Sequence, residues 1–193
     1  MNDFLIKKCF DNYNFRFLTN LILGELKYRE ILELLNIRPD TRYAIADFGA
    51  GSGYLANKFV RLEQCRVYYA IDRSDDKLNL LLKNARKSEL THKIEIIETD
   101  ISVNILLKNN SVEIALCCYV LNEIPFDRQK IALRKCIDAL TDGGLFYLSD
   151  YLGSPITEKM GLKYALTAEQ SISLISSFDE IEIIKAERRK YSQ

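Results

Sequence analysis

Asp47-Phe48-Gly49-Ala50-Gly51-Ser52-Gly53 is the stretch on which the reading of this chain turns. The apolar run Tyr43-Ala44-Ile45-Ala46 leads into it, and Tyr54-Leu55-Ala56-Asn57-Lys58-Phe59-Val60-Arg61, helix-like in composition, follows it. A strand that breaks into three glycines and then enters a helix lets a ligand lie against the main chain, because glycine accepts positive φ and has no side chain to hold the ligand off. The free N–H groups at the start of the helix attract the negative or polar end of such a ligand. The spacing narrows the ligand class. A dinucleotide fingerprint is G-x-G-x-x-G, and its third glycine would fall at position 54, which is tyrosine. The glycines instead run G-x-G-x-G behind an acidic residue.

Beyond the loop, strand-like and helix-like segments alternate. Residues 54–63 predict a helix and 66–72 a buried strand. Asp75 to Lys87 carries Leu78, Leu81, Leu82 and Ala85 on one helical face. Ile94 to Glu98 predicts a strand running to Asp100, and Val112 to Val120 a longer apolar one. Asp127 to Leu140 predicts a helix after Pro125 that closes at Asp142-Gly143-Gly144, before a strand over Leu145 to Leu148. Strands alternating with helices of this length imply βαβ units, right-handed crossovers and a parallel sheet with helices on both faces. Upstream, apolar positions from Phe15 to Leu35 recur at helical spacing, with Gly24 as a break and Pro39-Asp40 as a boundary. The division expected is therefore an N-terminal helical cap over 1–40 and an α/β domain over 41–193. Near the end, Ala168 to Ser177 predicts a short helix, and Phe178 to Ile184 alternates apolar and charged residues as a half-exposed strand does.

Length and composition set limits. The 193 residues suffice for one domain with a sizeable core, and 48% hydrophobic with 28% charged residues is ordinary for a soluble globular protein. Lys plus Arg and Asp plus Glu each number 27, so there is no basic surplus of the kind that a nucleic-acid protein usually carries. The one local excess is Lys185, Arg188, Arg189 and Lys190, which also suits a solvated tail. Cys9, Cys65, Cys117, Cys118 and Cys136 form no C-x-x-C pair, and their odd number argues for reduced, buried thiols in a cytoplasmic protein. Adjacent Cys117 and Cys118 would point to opposite faces of a strand, so no metal site is expected there. No apolar run of signal-peptide or membrane-spanning length occurs.

In a doubly wound sheet, ligands bind beyond the carboxyl ends of the strands, near the reversal of strand order. The first predicted strand ends in Asp47 and the glycines, and the second in Ala70-Ile71-Asp72, where an acid can accept from two ribose hydroxyls. The third ends in Thr99-Asp100-Ile101, the fourth in Cys117-Cys118-Tyr119-Val120-Leu121-Asn122-Glu123, and the fifth in Ser149-Asp150-Tyr151. The only histidine, His92, falls in the polar connection before the third strand, away from that end.

From about residue 42 to 151 these features resemble the class I S-adenosyl-L-methionine-dependent methyltransferases. The resemblance implies a three-layer, Rossmann-like α/β fold with S-adenosyl-L-methionine as cofactor. The glycine loop looks like the family's first motif. Asp72 looks like its ribose-binding acid, Asp100 with the Ile101 backbone like its adenine contact, and Cys117 falls where a backbone carbonyl meets the cofactor's amino group. Leu140 with Gly143 and Gly144 resembles the family's L-x-x-G-G turn. The implied cofactor-binding set is Asp47, Phe48, Gly49, Ala50, Gly51, Gly53, Asp72, Arg73, Asp100, Ile101 and Cys117. Tyr119, Asn122, Glu123, Asp150 and Tyr151 stand near the expected methyl position and are the candidate catalytic residues. The fourth strand lacks the Asn/Asp-Pro-Pro-Tyr/Phe signature of enzymes acting on adenine or glutamine amides. Its Tyr119-Val120-Leu121-Asn122-Glu123 resembles the small-molecule methyltransferases, in which histidines often stand at 122 and 123.

The function expected is methyl transfer to a small-molecule or peptide-like acceptor. RNA methylation, favoured only by the basic C-terminus, and non-catalytic cofactor binding by a regulatory or scaffold protein are the alternatives. The family's last antiparallel strand is either missing here or supplied by a second copy at the C-terminal sheet edge. Phe10, Tyr13, Phe15 and Phe17 are expected to fold over the strand ends as a lid opposite Tyr119, Asn122 and Tyr151, with packing elsewhere on the sheet as the other outcome.

Overall fold

The computed structural model describes residues 25, 27–86, 89–104 and 107–183. The aromatic residues expected to form a lid, most of the expected cap, Cys9 and the basic C-terminal residues lie outside them. Five strands form one sheet: β1 (Tyr43–Phe48), β2 (Cys65–Asp72), β3 (Ile94–Glu98), β4 (Val112–Cys118) and β5 (Leu140–Ser149). Their spatial order is β3-β2-β1-β4-β5 and every pairing is parallel. This is the Rossmann-like methyltransferase arrangement expected from the sequence. The central strand β1, Tyr-Ala-Ile-Ala-Asp-Phe, is buried along nearly its whole length, as a parallel strand covered on both faces must be.

The period-two geometry of β1 sorts its side chains between two cores. On one face Ile45 packs with Tyr68, Ala70, Ile114, Leu116 and Tyr147 beneath three helices. These are α1 (27–35), α2 (Tyr54–Phe59) and α3 (Asp75–Arg86). They bury Ile31 and Leu35, Leu55 with Ala56 and Phe59, and Leu78 with Leu81 and Ala85, respectively. On the other face Ala44, Ala46 and Phe48 meet Ile71, Ala115 and Cys117 beneath α4 (Phe126–Asp138), which buries Ala132, Leu133, Cys136 and Ile137. Cys117 and Cys118 do face opposite cores. Two short helices follow β5: α5 (Pro155–Lys159) and α6 (Ala168–Ile175), the latter opened by a capping box between Thr167 and Gln170. No helix among the described residues is long and apolar enough to cross a membrane.

Three boundaries differ from expectation. β4 stops at Cys118 rather than Val120, because Tyr119 adopts φ +60° and leaves the extended region. Asp142-Gly143-Gly144 is not a turn that closes α4. The helix ends at Asp138 and β5 begins at once, pairing Leu140 with Val112 and then slipping so that Leu145 pairs with Ile114. Gly143 takes up that irregularity at φ +73°. The described part of the expected last strand, 178–183, is turn and irregular backbone. There Phe178 is buried against the second core and Arg134 of α4 lies 4.7 Å from its ring centroid, so the segment is anchored to a helix rather than to a strand edge.

Gly53 fixes how α2 leaves the loop. It holds φ +82°, and a Cβ there would stand 2.3 Å from Cγ of the buried Leu81 in α3. The substitution Gly53→Ala should therefore combine left-handed strain with overpacking, a loss of about 2–4 kcal/mol of stability. Urea unfolding will show it as a lower midpoint, and an unchanged midpoint would contradict this packing.

Candidate functional site

The sheet order reverses between β1 and β4, and a cleft opens at their carboxyl ends, where doubly wound folds bind ligands. Gly49 from the β1 loop, Asp72 and Arg73 from the end of β2, Thr99, Asp100 and Ile101 from the end of β3, and Tyr119, Val120, Glu123 and Ile124 beyond β4 line it, together with Lys77 of α3. Lys77, Thr99, Val120 and Ile124 are cleft residues that the sequence did not single out. A neighbouring motif position carried the signal in three cases, and Lys77 is the third residue of a helix that opens with two acidic ones.

Backbone hydrogen bonds hold the glycine loop to β2. Gly49 and Ala50 N–H both donate to the Ile71 carbonyl, at 2.7 and 2.9 Å, and Gly51 N–H donates to Asp72 Oδ2 at 2.9 Å. Asp72 Oδ1 accepts from Ser74 N–H at 3.0 Å. The carboxylate is only 7% exposed, yet it borders the cleft, and each of its oxygens has a further lone pair to offer. Gly51 has φ +54° and nothing within 4 Å of where a Cβ would stand, so the loop presents bare main chain to open space.

Asp100 Oδ1 accepts from Ser102 N–H at 2.8 Å and Ser102 Oγ at 2.7 Å. Burial works to raise the pKa of this carboxyl. The two Ser102 hydrogen bonds, with Arg73 and Arg128 nearby, outweigh it and hold the group below its ordinary range, so it is an anion in the cleft. Arg73 Nη2 pairs with Glu123 Oε2 at 3.0 Å, bridging the β2 and β4 sides. Both partners are half-exposed, so the pair contributes little to stability, at most about 1 kcal/mol.

Other residues of the implied set stand behind the cleft. Phe48 and Cys117 are fully buried in the second core, with the Cys117 thiol against Cys136, and Ala50 is buried in the first. Gly53 is taken up by packing on Leu81. Asp47 is 2% exposed and accepts from Tyr68 Oη at 2.6 Å. Asn122 is buried, its amide donating to Asp150 Oδ1 and its N–H to Oδ2 at 3.1 Å, while Tyr151 N–H donates to Oδ1 at 2.7 Å. Burial raises the Asp150 pKa against these hydrogen bonds. The Tyr119 and Tyr151 rings are in contact, with centroids 4.7 Å apart and planes tilted by 34°. His92 is exposed in the turn that precedes β3. No group of three or more His, Cys, Asp or Glu able to hold a metal ion occurs among the described residues.

A family model described as a methyltransferase domain matches residues 45–144, just over half of the 193 residues. The chain belongs to the methyltransferase domain family. The match runs from inside β1 to the Gly143-Gly144 irregularity of β5 and so contains every residue lining the cleft. O-methyltransferase 3 of Dictyostelium discoideum is 24% identical over 136 residues, covering 68% of this chain and 31% of that protein. Among solved structures, the [4+2]-cyclase SpnF superposes with a TM-score of 0.60 at 18% identity, over 72% of this chain and 52% of that one. The glycopeptide N-methyltransferase MtfA superposes with a TM-score of 0.58 at 19% identity, over 70% and 56%. This methyltransferase domain thus spans about a third of the length of the curated relative and about half that of the two structural ones.

Asp47 makes the stability of this methyltransferase domain depend on pH. Burial, partly offset by the Tyr68 hydrogen bond and reinforced by the nearby Asp72, raises its carboxyl from the ordinary 3.8 to about 7. Between those values the folded chain keeps a proton that the unfolded chain has released, so stability is full below the lower pKa and falls as pH rises through about 7. Asp47→Asn retains an acceptor for Tyr68 and cannot ionise. Between about pH 5 and about pH 8.5 the ligand-free variant should lose less stability than the wild type, by an amount on the order of 2–4 kcal/mol. Parallel pH profiles of wild type and variant in chemical unfolding would contradict the assignment.

Proposed function

We propose that this chain binds S-adenosyl-L-methionine in the cleft and transfers its methyl group to a small-molecule or peptide-like acceptor. The observation that carries the reading is the placing of two acids, Asp72 and Asp100, at adjacent strand ends of one cleft beside the glycine loop. The residues fit the cofactor. Asp72 has lone pairs left for a ribose diol, and Ser102 occupies only Oδ1 of Asp100, so its second oxygen can accept from an exocyclic amine. The space over Gly51 admits a close approach to main chain that any Cβ would obstruct.

When bound, the cofactor supplies a methyl already activated on a sulfonium. The chain's contribution is then alignment and exclusion of water rather than strong base chemistry. On the acceptor side, the paired Tyr119 and Tyr151 rings offer an aromatic wall at the ends of β4 and β5. Asp150, held by Asn122 and by backbone N–H groups, shapes the 119–124 loop, and Glu123, paired with Arg73, sits at the rim. The O- and N-methyltransferase relatives act, by their names, on different elements, which leaves the acceptor atom to the chemistry of this wall.

Calorimetry tests the cofactor assignment. Asp72→Ala removes an acceptor for two hydroxyls, and hydrogen bonds to a charged group are worth about 1.5–3 kcal/mol. Affinity for S-adenosyl-L-methionine should fall by roughly one to two orders of magnitude. Unchanged affinity in the variant, or tighter binding of a nicotinamide dinucleotide by the wild type, would overturn the reading.

A further inference from the structure

Lys27, in the first described turn of α1, is 9% exposed, an uncommon place for a lysine. Its ammonium donates to Ser149 Oγ at 2.8 Å, to Tyr147 Oη at 3.0 Å and to Glu30 Oε2 at 3.3 Å. Those are all three donors that an ammonium has. The same nitrogen stands 5.5 Å from the ring centroids of both Tyr119 and Tyr147, within reach of their negative faces.

These contacts converge on a strained place. Tyr119 holds φ +60°, a conformation that a bulky residue keeps only where its surroundings enforce it. Its N–H donates to the Ser149 carbonyl at 2.7 Å and its ring packs, tilted by 34°, against that of Tyr151. Ser149 is thus gripped twice, through its hydroxyl by Lys27 and through its carbonyl by Tyr119. Tyr119 lines the cleft, whereas Lys27 does not.

We propose that Lys27 is a positioning residue of the transfer site, acting from α1 through Ser149 and the Tyr119 ring to hold the Tyr119–Tyr151 pair as a fixed wall beside the reacting methyl. The inference rests on the reading of the cleft as an S-adenosyl-L-methionine site. A lysine suits the task because one group supplies both the hydrogen bonds to β5 and a cation for the ring. Methionine, of similar length and also buried without strain, supplies neither. The fixed charge in turn needs Glu30, without which it would be buried unpaired.

NMR of S-adenosyl-L-methionine carrying a ¹³C methyl group tests this without an acceptor, because a fixed aromatic wall displaces the bound methyl resonance from its position in free cofactor. In the wild type that displacement is expected. Lys27→Met should bind the cofactor within about threefold of wild type, with the bound resonance moved back toward the free position, and Lys27→Arg should restore part of the displacement. If Lys27→Met does not fold, Ser149→Ala, which leaves the lysine in place and removes one anchor, should give the same change in weaker form. A bound methyl resonance identical to wild type in whichever of these variants folds overturns the role of Lys27 and leaves the cofactor reading intact. So does a wild-type resonance that binding does not displace. Failure of the wild type to bind the cofactor at all overturns the cofactor reading, and this inference with it.

Discussion

The carboxylate of Asp72 holds two backbone segments at once: Oδ2 takes the N–H of Gly51 and Oδ1 that of Ser74. The first bond fixes the crest of the glycine loop over the end of β2, and the second fixes the turn that starts α3. With the Ile71 carbonyl receiving Gly49 and Ala50, the loop has little freedom that does not first break contacts to β2. The acid is nearly buried, so losing it would leave backbone donors unsatisfied as well as remove an acceptor for a ligand. One side chain therefore both builds the cleft and leaves acceptor lone pairs beside it. The left-handed Gly51 follows from it: it must turn its N–H inward to reach the carboxylate, and its missing side chain leaves the outer surface open.

Much of this was legible in the sequence, for a definite reason. In a parallel sheet the strands are buried on both faces and appear as unbroken apolar runs, and the residues just beyond those runs are the ones that can meet a ligand. Asp72 and Asp100 could be named because they end such runs. The same logic failed at β5. There a bulge carries Thr141 to Gly144 into the strand, and a glycine pair that looks like a turn signal is consistent with either outcome. It failed again at 178–183, where an alternating pattern marks one buried face but does not say whether a strand or a helix covers it. Nor did Lys27 stand out. Its partners lie 120 and 122 residues away on β5, and no local pattern distinguishes a lysine that will be buried and paired from one that faces water.

The two sides of the cleft differ in what they owe to the fold. The side proposed to hold the cofactor is built largely of main chain and of carboxylates at strand ends, features that the topology itself brings together. The side proposed to face the acceptor is built of side chains, with Tyr119, Tyr151, Asn122 and Asp150 locked to one another and to α1 through Ser149 and Lys27. An O-methyltransferase, a glycopeptide N-methyltransferase and a cyclase among the relatives show how far function can diverge on one scaffold.

A crystal structure with S-adenosylhomocysteine, the product that retains all of the cofactor except the methyl, tests the central claim most directly. The account predicts that the ribose hydroxyls contact Asp72, that the adenine amine faces Asp100, and that the thioether sulfur points toward the Tyr119–Tyr151 wall. Density for the ligand at any other place on the domain, or in the cleft with its ribose turned away from Asp72, would contradict it.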